Sequence, residues 1–273
     1  MRCAHKMQTQ SLRHAKWMAN PVVITRPIAQ AETFAQRVAA LGRNAIVFPL
    51  LEIRPLADPA PLHAVLADLS GFAMVAFVSP NAIDATFDIV HSWPKDVALA
   101  VIGDGSKTAL ARYGVTSANA DIVSPRDPAR TDSETLLDAL DLHALQGKRV
   151  LIVRGETGRE LLADALRNAG IEVIQVAAYR RNAPTLEQAQ RKQLTELANS
   201  ENDWIITSSE ALRNLIRMAR QVLGDDGVAK MLQQKIIISH MRIEETAREL
   251  GFRHITLTGS GDEQLLAALQ FSQ

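Results

Sequence analysis

Residues 148–181 read KRVLIVRGETGRELLADALRNAGIEVIQVAAYRR. Arg149 to Val153 is a short β-branched and leucine run, and Arg154-Gly155-Glu156-Thr157-Gly158 is a turn. Leu161, Leu162, Ala165 and Leu166 then recur at helical spacing until Gly170 stops the pattern. Ile171 to Ala178 is a second apolar run, closed by Tyr179-Arg180-Arg181. The order is strand, glycine turn, helix, glycine stop, strand.

Residues 21–55, PVVITRPIAQAETFAQRVAALGRNAIVFPLLEIRP, repeat that order. Arg26 matches Arg154, Glu32 matches Glu160 and Gly42 matches Gly170, each pair 128 positions apart. Phe77-Val78-Ser79 before Asn81-Ala82 answers Ile206-Thr207-Ser208 before Glu210-Ala211, and Val101-Ile102-Gly103 before Gly114 answers Ile237-Ile238-Ser239 before Gly251. A period this long is no solenoid, and it predicts two copies of one α/β unit.

Working outward, Val22 to Arg26 and Ala45 to Phe48 are strands around a helix whose apolar face is Phe34, Val38 and Leu41. Pro49 to Pro55 is an extended crossing, and Gln175 to Arg181 is its counterpart on the return. The expected class is α/β, with two similar domains, each a parallel sheet flanked by helices, joined by a two-strand linker. The expected boundaries are a tail at 1–20, a discontinuous first domain at 21–50 with 182–273, and an inserted second domain at 51–181 that includes the connectors. Met74 to Ser79, Val97 to Ile102, Trp204 to Thr207, Lys235 to Ser239 and Ile255 to Leu257 are further strands, the all-apolar ones fitting sheets covered on both faces. Helices are expected through Leu69, Tyr113, Leu140, Leu197, Ala219 and Leu250 and over Asp262 to Gln270, and Ala118 to Arg130 reads as loop.

Composition narrows the function classes. The 273 residues suit two domains, each large enough for its own core. Thirty basic and thirty acidic residues cancel, so bulk charge offers nothing to nucleic acid or membrane. The single cysteine, Cys3, rules out a disulfide framework and a cysteine-based metal site and suits a reducing cytoplasm. No apolar run approaches the ~18 residues of a membrane helix. Met1 to Asn20 is basic and acid-free without a secretory apolar block, and it is given no function.

The strand-to-helix turns at Arg26, Ser79, Gly103, Arg154, Ser208 and Ser239 all place small, hydroxylated or basic residues at helix N-termini. Free N–H groups and the helix dipole make such positions anion sites, and ligands of open α/β sheets gather at these strand ends. Taken singly, Ser79, Ser208 and Ser209 read as N-caps. Both copies aiming such turns at one cleft points to a polyanionic ligand. Other motifs carry less. Gly103-Asp104-Gly105 lacks the third glycine of a dinucleotide fingerprint, and Arg154 to Gly158 lacks the Gly-Lys-Ser/Thr ending of a phosphate loop. The seven histidines show no metal-ligand spacing, although His240 directly follows a strand and is a candidate ligand contact. No Gly-x-Ser-x-Gly elbow is present. Tyr179, one of two tyrosines, ends the return connector, where its hydroxyl faces either the cleft or the core.

In this succession the chain resembles the uroporphyrinogen-III synthase family. The residues that carry the likeness are Val23-Ile24-Thr25-Arg26-Pro27, Pro49-Leu50, Phe77-Val78-Ser79-Pro80-Asn81-Ala82, Val101-Ile102-Gly103, Arg154-Gly155 with Gly158-Arg159-Glu160-Leu161-Leu162, Tyr179-Arg180-Arg181 and Thr207-Ser208-Ser209. Asp104 and Ser239-His240-Met241-Arg242 depart from the family pattern. The resemblance implies hydroxymethylbilane bound in an interdomain cleft and closed into uroporphyrinogen III, with the last ring inverted, water lost, and no metal or cofactor used. It implies Tyr179 as proton donor or positioner. The candidate substrate-binding residues are Thr25, Arg26, Ser79, Asn81, Gly103, Arg154, Gly155, Thr207, Ser208, Ser209, His240 and Arg242. A cytoplasmic monomer that meets the upstream deaminase transiently is the further expectation. Two other classes stay open, a non-catalytic binding or sensor protein for an anionic metabolite and a nucleotide-dependent transferase, the second disfavoured by the missing phosphate loops.

Overall fold

A computed structural model describes residues 19–127 and 132–270, so nearly all of the basic N-terminal stretch lies outside the described residues. In chain order the elements are β1 (Val22–Ile24), α1 (Ile28–Ala40), β2 (Ala45–Val47), β3 (Glu52–Arg54), α2 (Ala60–Leu66), β4 (Met74–Phe77), α3 (Pro80–Phe87), β5 (Ala98–Val101), α4 (Asp104–Arg112), β6 (Ile122–Val123), α5 (Ser133–Ala139), α6 (Leu142–Leu145), β7 (Arg149–Gly155), α7 (Leu161–Asn168), β8 (Glu172–Asn182), α8 (Gln188–Ala198), β9 (Asp203–Ile206), α9 (Ser209–Met231), β10 (Lys235–Ile238), α10 (Met241–Leu250), β11 (His254–Leu257) and α11 (Asp262–Gln270).

These strands form two sheets, β2-β1-β9-β10-β11 and β3-β8-β7-β4-β5-β6. Every pairing is parallel except that of β3 with the end of β8, where Glu52 faces Asn182 and Arg54 faces Arg180. Strands β1, β4 and β9 are buried at every residue, as parallel strands covered on both faces must be. Apolar clusters lie on each face of each sheet: Trp204, Phe48 and Leu212 belong to one cluster of the first sheet and Phe34, Ile205 and Leu265 to the other. Phe77, Leu99 and Leu110 with Leu136, Ile152 and Leu166 do the same for the second. Among the described residues these four clusters each stay with one sheet, so the two domains have separate cores.

The repeat is real, but its copies are not the domains. The equivalences read from sequence are β1 with β7, β2 with β8, β9 with β4 and β10 with β5. Applied to the sheets, they give one strand order twice, β2-β1-β9-β10-β11 and β8-β7-β4-β5-β6. Leaving aside the connector strand β3, each sheet therefore takes two strands from one copy and three from the other. Both copies change sheet at the crossing that follows their second strand, which is why the connectors lie side by side. The stops at Gly42 and Gly170 have φ of 76° and 79°, so the repeated glycine serves the same left-handed helix end in both copies.

Several elements depart from the sequence reading. The stretch read as loop holds a short edge strand, β6, beside β5. The helix expected to end at Ala219 continues through a break at Gly224 to Met231, where Val228 and Met231 return to the core. The helix expected through Leu69 ends at Leu66, with a single tight turn at Leu69–Gly71 after it.

Candidate functional site

The carboxyl ends of both sheets face one cleft with a volume of ≈ 1380 Å³. The order 2-1-3-4-5 places each sheet's switch point between its second and third strands, where ligands of such folds gather. In the first sheet that point carries Arg26 after β1 and Thr207 and Ser208 after β9. In the second it carries Arg154 and Gly155 at the end of β7 and Ser79 after β4. All six line the cleft, as do Gly103, Ser209, His240 and Arg242. The lining holds eight arginines, five Asp or Glu residues and no lysine, so the charge absent from the chain as a whole is concentrated here. Arginine's planar fork suits carboxylates held in a fixed orientation better than the ammonium of lysine does.

Tyr179, at the end of β8, lines the cleft from the second sheet's side. It is only 5% exposed, and its phenol oxygen lies 2.9 Å from Ser79 Oγ. Ser79 caps α3, and its oxygen accepts from Ala82 N–H at 3.2 Å. When Ser79 donates its own proton to the phenol oxygen, the Tyr179 proton is left free to point into the cleft. A register shift at Arg154/Gly155 sets Gly155 opposite Tyr179. A Cβ on Gly155 would meet the Tyr179 ring at 3.1 Å, so the glycine is what lets the ring lie against β7.

The arginines of the expected set are mostly held by carboxylates of the protein. Arg154 is buried and donates to Glu160 and to Gln175, each at 2.6 Å. Its Nη2 lies where a Cβ on Gly158 would come within 2.6 Å, so that glycine makes room for the guanidinium. Hydrogen bonds from Gln175 and then Arg154 hold the Glu160 carboxyl below its ordinary value. Arg26 pairs with Asp262 at 2.7 Å and lies over the Phe34 ring. Gly103 caps α4 with extended backbone and offers the cleft only N–H groups. Ser208 accepts from Ala211 N–H as the cap of α9, and Ser209 Oγ donates to the Arg242 carbonyl at 3.4 Å while accepting from Thr246 at 3.1 Å.

His240 bridges the domains. Its Nδ1 accepts from Arg242 N–H at 3.3 Å as the cap of α10, which leaves Nε2 as the protonated nitrogen that donates to Asp132 at 3.1 Å. Burial pushes the Asp132 carboxyl up, but hydrogen bonds from the Thr135 backbone and hydroxyl and from His240 outweigh it and leave the group below its ordinary value. Gln30 donating to Asn81 at 3.1 Å and Arg181 facing Glu210 at 3.3 Å also cross the cleft.

Two of the residues expected to bind substrate are placed elsewhere. Thr25 is 1% exposed, and its hydroxyl donates to the Ile205 carbonyl at 2.7 Å, so it ties β1 to β9 and does not line the cleft. It closes a strand, where the side chain faces the neighbouring chain and the next residue enters the turn. Asn81 likewise is not part of the lining; its side chain meets Gln30 from the opposite domain. Asp132, Arg159, Arg181 and Arg213 line the cleft without having been singled out. Arg159 and Arg181 showed only within the stretches that carry the family likeness, Asp132 lies at the start of the helix expected through Leu140, and nothing local marked Arg213. Among the described residues no group of three or more His, Cys, Asp or Glu side chains is arranged to hold a metal ion.

The cleft is thus lined by arginines and helix N-termini, with one phenol among them. Comparison with known proteins identifies the family. Residues 32–261 match the family model described as uroporphyrinogen-III synthase HemD. The chain belongs to the uroporphyrinogen-III synthase family. Among uroporphyrinogen-III synthases, that of Escherichia coli K12 is 32% identical over 257 residues, which cover 91% of this chain and 99% of the relative. That of Synechococcus elongatus is 31% identical, over 77% of this chain and 78% of the relative. Solved structures agree on the fold. A uroporphyrinogen-III synthetase from Helicobacter pylori superposes with a TM-score of 0.59 at 14% identity, covering 92% of this chain and 99% of that one. A mutant uroporphyrinogen III synthase from Thermus thermophilus does so with 0.57 at 15% identity, covering 93% and 98%. Among the described residues no helix is long and apolar enough to cross a membrane.

Proposed function

We propose that this member of the uroporphyrinogen-III synthase family closes hydroxymethylbilane into uroporphyrinogen III, inverting the terminal ring and losing water. One observation carries the reading: a single buried phenol on the wall of an interdomain cleft joins eight arginines in its lining, within a chain of no net charge. The substrate is a linear tetrapyrrole bearing a carboxylate on every side arm. Helix N-terminal N–H groups and guanidiniums from both walls hold such a ligand by many contacts, each modest in itself. Tyr179 donates its proton to the hydroxyl of the terminal hydroxymethyl group. The carbon–oxygen bond breaks, water departs, and the remaining carbon becomes an azafulvene cation stabilised by the pyrrole nitrogen. Ser79 keeps the phenol in place. Spatial control follows from holding the arms on two walls, since positioning of the chain decides which pyrrole carbon attacks.

The same reading takes the first domain as 21–50 with 182–273 and the inserted one as 51–181, with Leu51 packing back onto the first core. It makes the protein a cytoplasmic monomer that meets the upstream deaminase transiently. Incubation with hydroxymethylbilane generated in situ tests the activity: type III product supports it and type I alone overturns it.

A further inference from the structure

Six of the eight cleft arginines already have a carboxylate of the protein beside them. Arg26 and Arg37 share Asp262, Arg112 faces Asp84, Arg154 faces Glu160, Arg159 faces Glu134 and Arg181 faces Glu210. Such guanidiniums are held in place, and an incoming anion must share or displace the resident carboxylate. Arg213 and Arg242 differ. Both line the cleft and are exposed, and among the described residues no carboxylate lies within ion-pair distance of either.

They also belong to one wall. The first turns of α9 and α10 are tied together by Ser209 Oγ on the Arg242 carbonyl at 3.4 Å and by Thr246 Oγ1 on Ser209 Oγ at 3.1 Å. Arg213 is one helical turn beyond Ser209 and so shares its face of α9. The positive ends of both helices add to the field there. Loss of water and then the like charge of Arg159 hold the Arg242 guanidinium below its ordinary value, against the opposing pull of Glu134, Asp132 and Glu245, none of which lies within ion-pair distance of it.

We propose that Arg213 and Arg242 form a carboxylate subsite on the α9–α10 wall that takes one side arm of the tetrapyrrole substrate and fixes its orientation. The inference rests on the functional reading above. It gives the wall a selective role: a substrate arm with a carboxylate is held there and the same arm without one is not.

The test compares Arg213→Gln, Arg242→Gln and the double variant with Arg220→Gln, an exposed change on α9 outside the cleft lining, where Arg220 faces Asp225. KM for hydroxymethylbilane and Kd for uroporphyrin III, used as a stable probe that carries the same acidic arms, are measured at low and high salt. Loss of one charge-assisted contact is expected to raise each constant roughly tenfold or more in the single variants. The double variant should also show a shallower salt dependence, Arg242→Lys a partial recovery, and Arg220→Gln no change. A double variant with wild-type KM, Kd and salt dependence would overturn the subsite while the wild-type protein still made type III isomer. A wild-type protein that made none would overturn the functional reading, and the subsite with it.

Discussion

Replacing Tyr179 by Phe removes one oxygen from the wall of the cleft and little else. The ring is 5% exposed and stays packed against Gly155, so no apolar surface is lost. What disappears is the 2.9 Å hydrogen bond to Ser79, a neutral pair with a net value of about 0.5–1.5 kcal/mol. Ser79 keeps its acceptor bond from Ala82 N–H, and its hydroxyl proton, which loses the phenol oxygen, can turn to solvent in the cleft that Ser79 lines. Against a typical stability of about 5–15 kcal/mol, that loss leaves the protein folded and lowers Tm by only a few degrees. The catalytic loss is expected to be far larger, roughly 10²–10⁴-fold in the rate of type III formation, the usual worth of a positioned proton donor. Thermal unfolding followed by circular dichroism separates the two effects, with isomer-resolved rates measured on the same sample. A folded Tyr179→Phe protein that forms type III at the wild-type rate would refute the donor role. A variant that unfolds would refute the claim that the hydroxyl has little structural weight.

Gly155→Ala should reach the same phenol by another route: its Cβ would press on the Tyr179 ring at 3.1 Å, costing about 1–3 kcal/mol of stability as overpacking and lowering the type III rate, both readable from urea midpoints and initial rates. Far from the cleft, Arg43 and Asp203 form a buried pair at 2.6 Å, and Arg43→Ala should cost about 3 kcal/mol in urea unfolding because the buried Asp203 carboxylate keeps only the longer contact to the partly exposed Lys235 at 3.6 Å. Asp132 has a lowered carboxyl pKa when folded, so its contribution is present above the unfolded value of about 3.9 and is lost as pH falls through the lower folded value. Asp132→Asn keeps an N-cap acceptor but sets an amide against His240 Nε2–H. It should lower the urea midpoint near neutral pH and flatten its fall in acid, and an unchanged pH profile would contradict the His240–Asp132 contact.

The turns were legible because local physics writes them. A β-branched run, then small or hydroxylated residues, then helical spacing announces a strand end and a helix start, and so Ser79, Gly103, Ser208 and Arg154 all reached the cleft. Thr25 shows the limit of that rule. A residue at the very end of a strand points either into the turn or across to the next strand, and only the pairing of β1 with β9 decides that it meets Ile205. The repeat was visible as matched residues, and its two crossings already divided each copy between the domains, but the strand order within each sheet was not legible, since which strand pairs with which is a contact between distant segments. The charge partners were hidden for the same reason. Arg26 with Asp262, and His240 with Asp132 across 108 positions, are brought together only when the sheets close on each other. Arg213 gave no signal at all, because an arginine on an exposed helix face becomes distinctive only once the carboxylates around its neighbours are known.

The central claim is that this cleft directs ring closure, and isomer composition measures direction. Hydroxymethylbilane closes unaided to the type I isomer, so total porphyrin says little. Uroporphyrins I and III separated after oxidation give the ratio with and without the protein. Predominant type III, formed in proportion to protein added and lost in Tyr179→Phe, is the predicted result. Type I alone at the uncatalysed rate, from a folded protein, would contradict it.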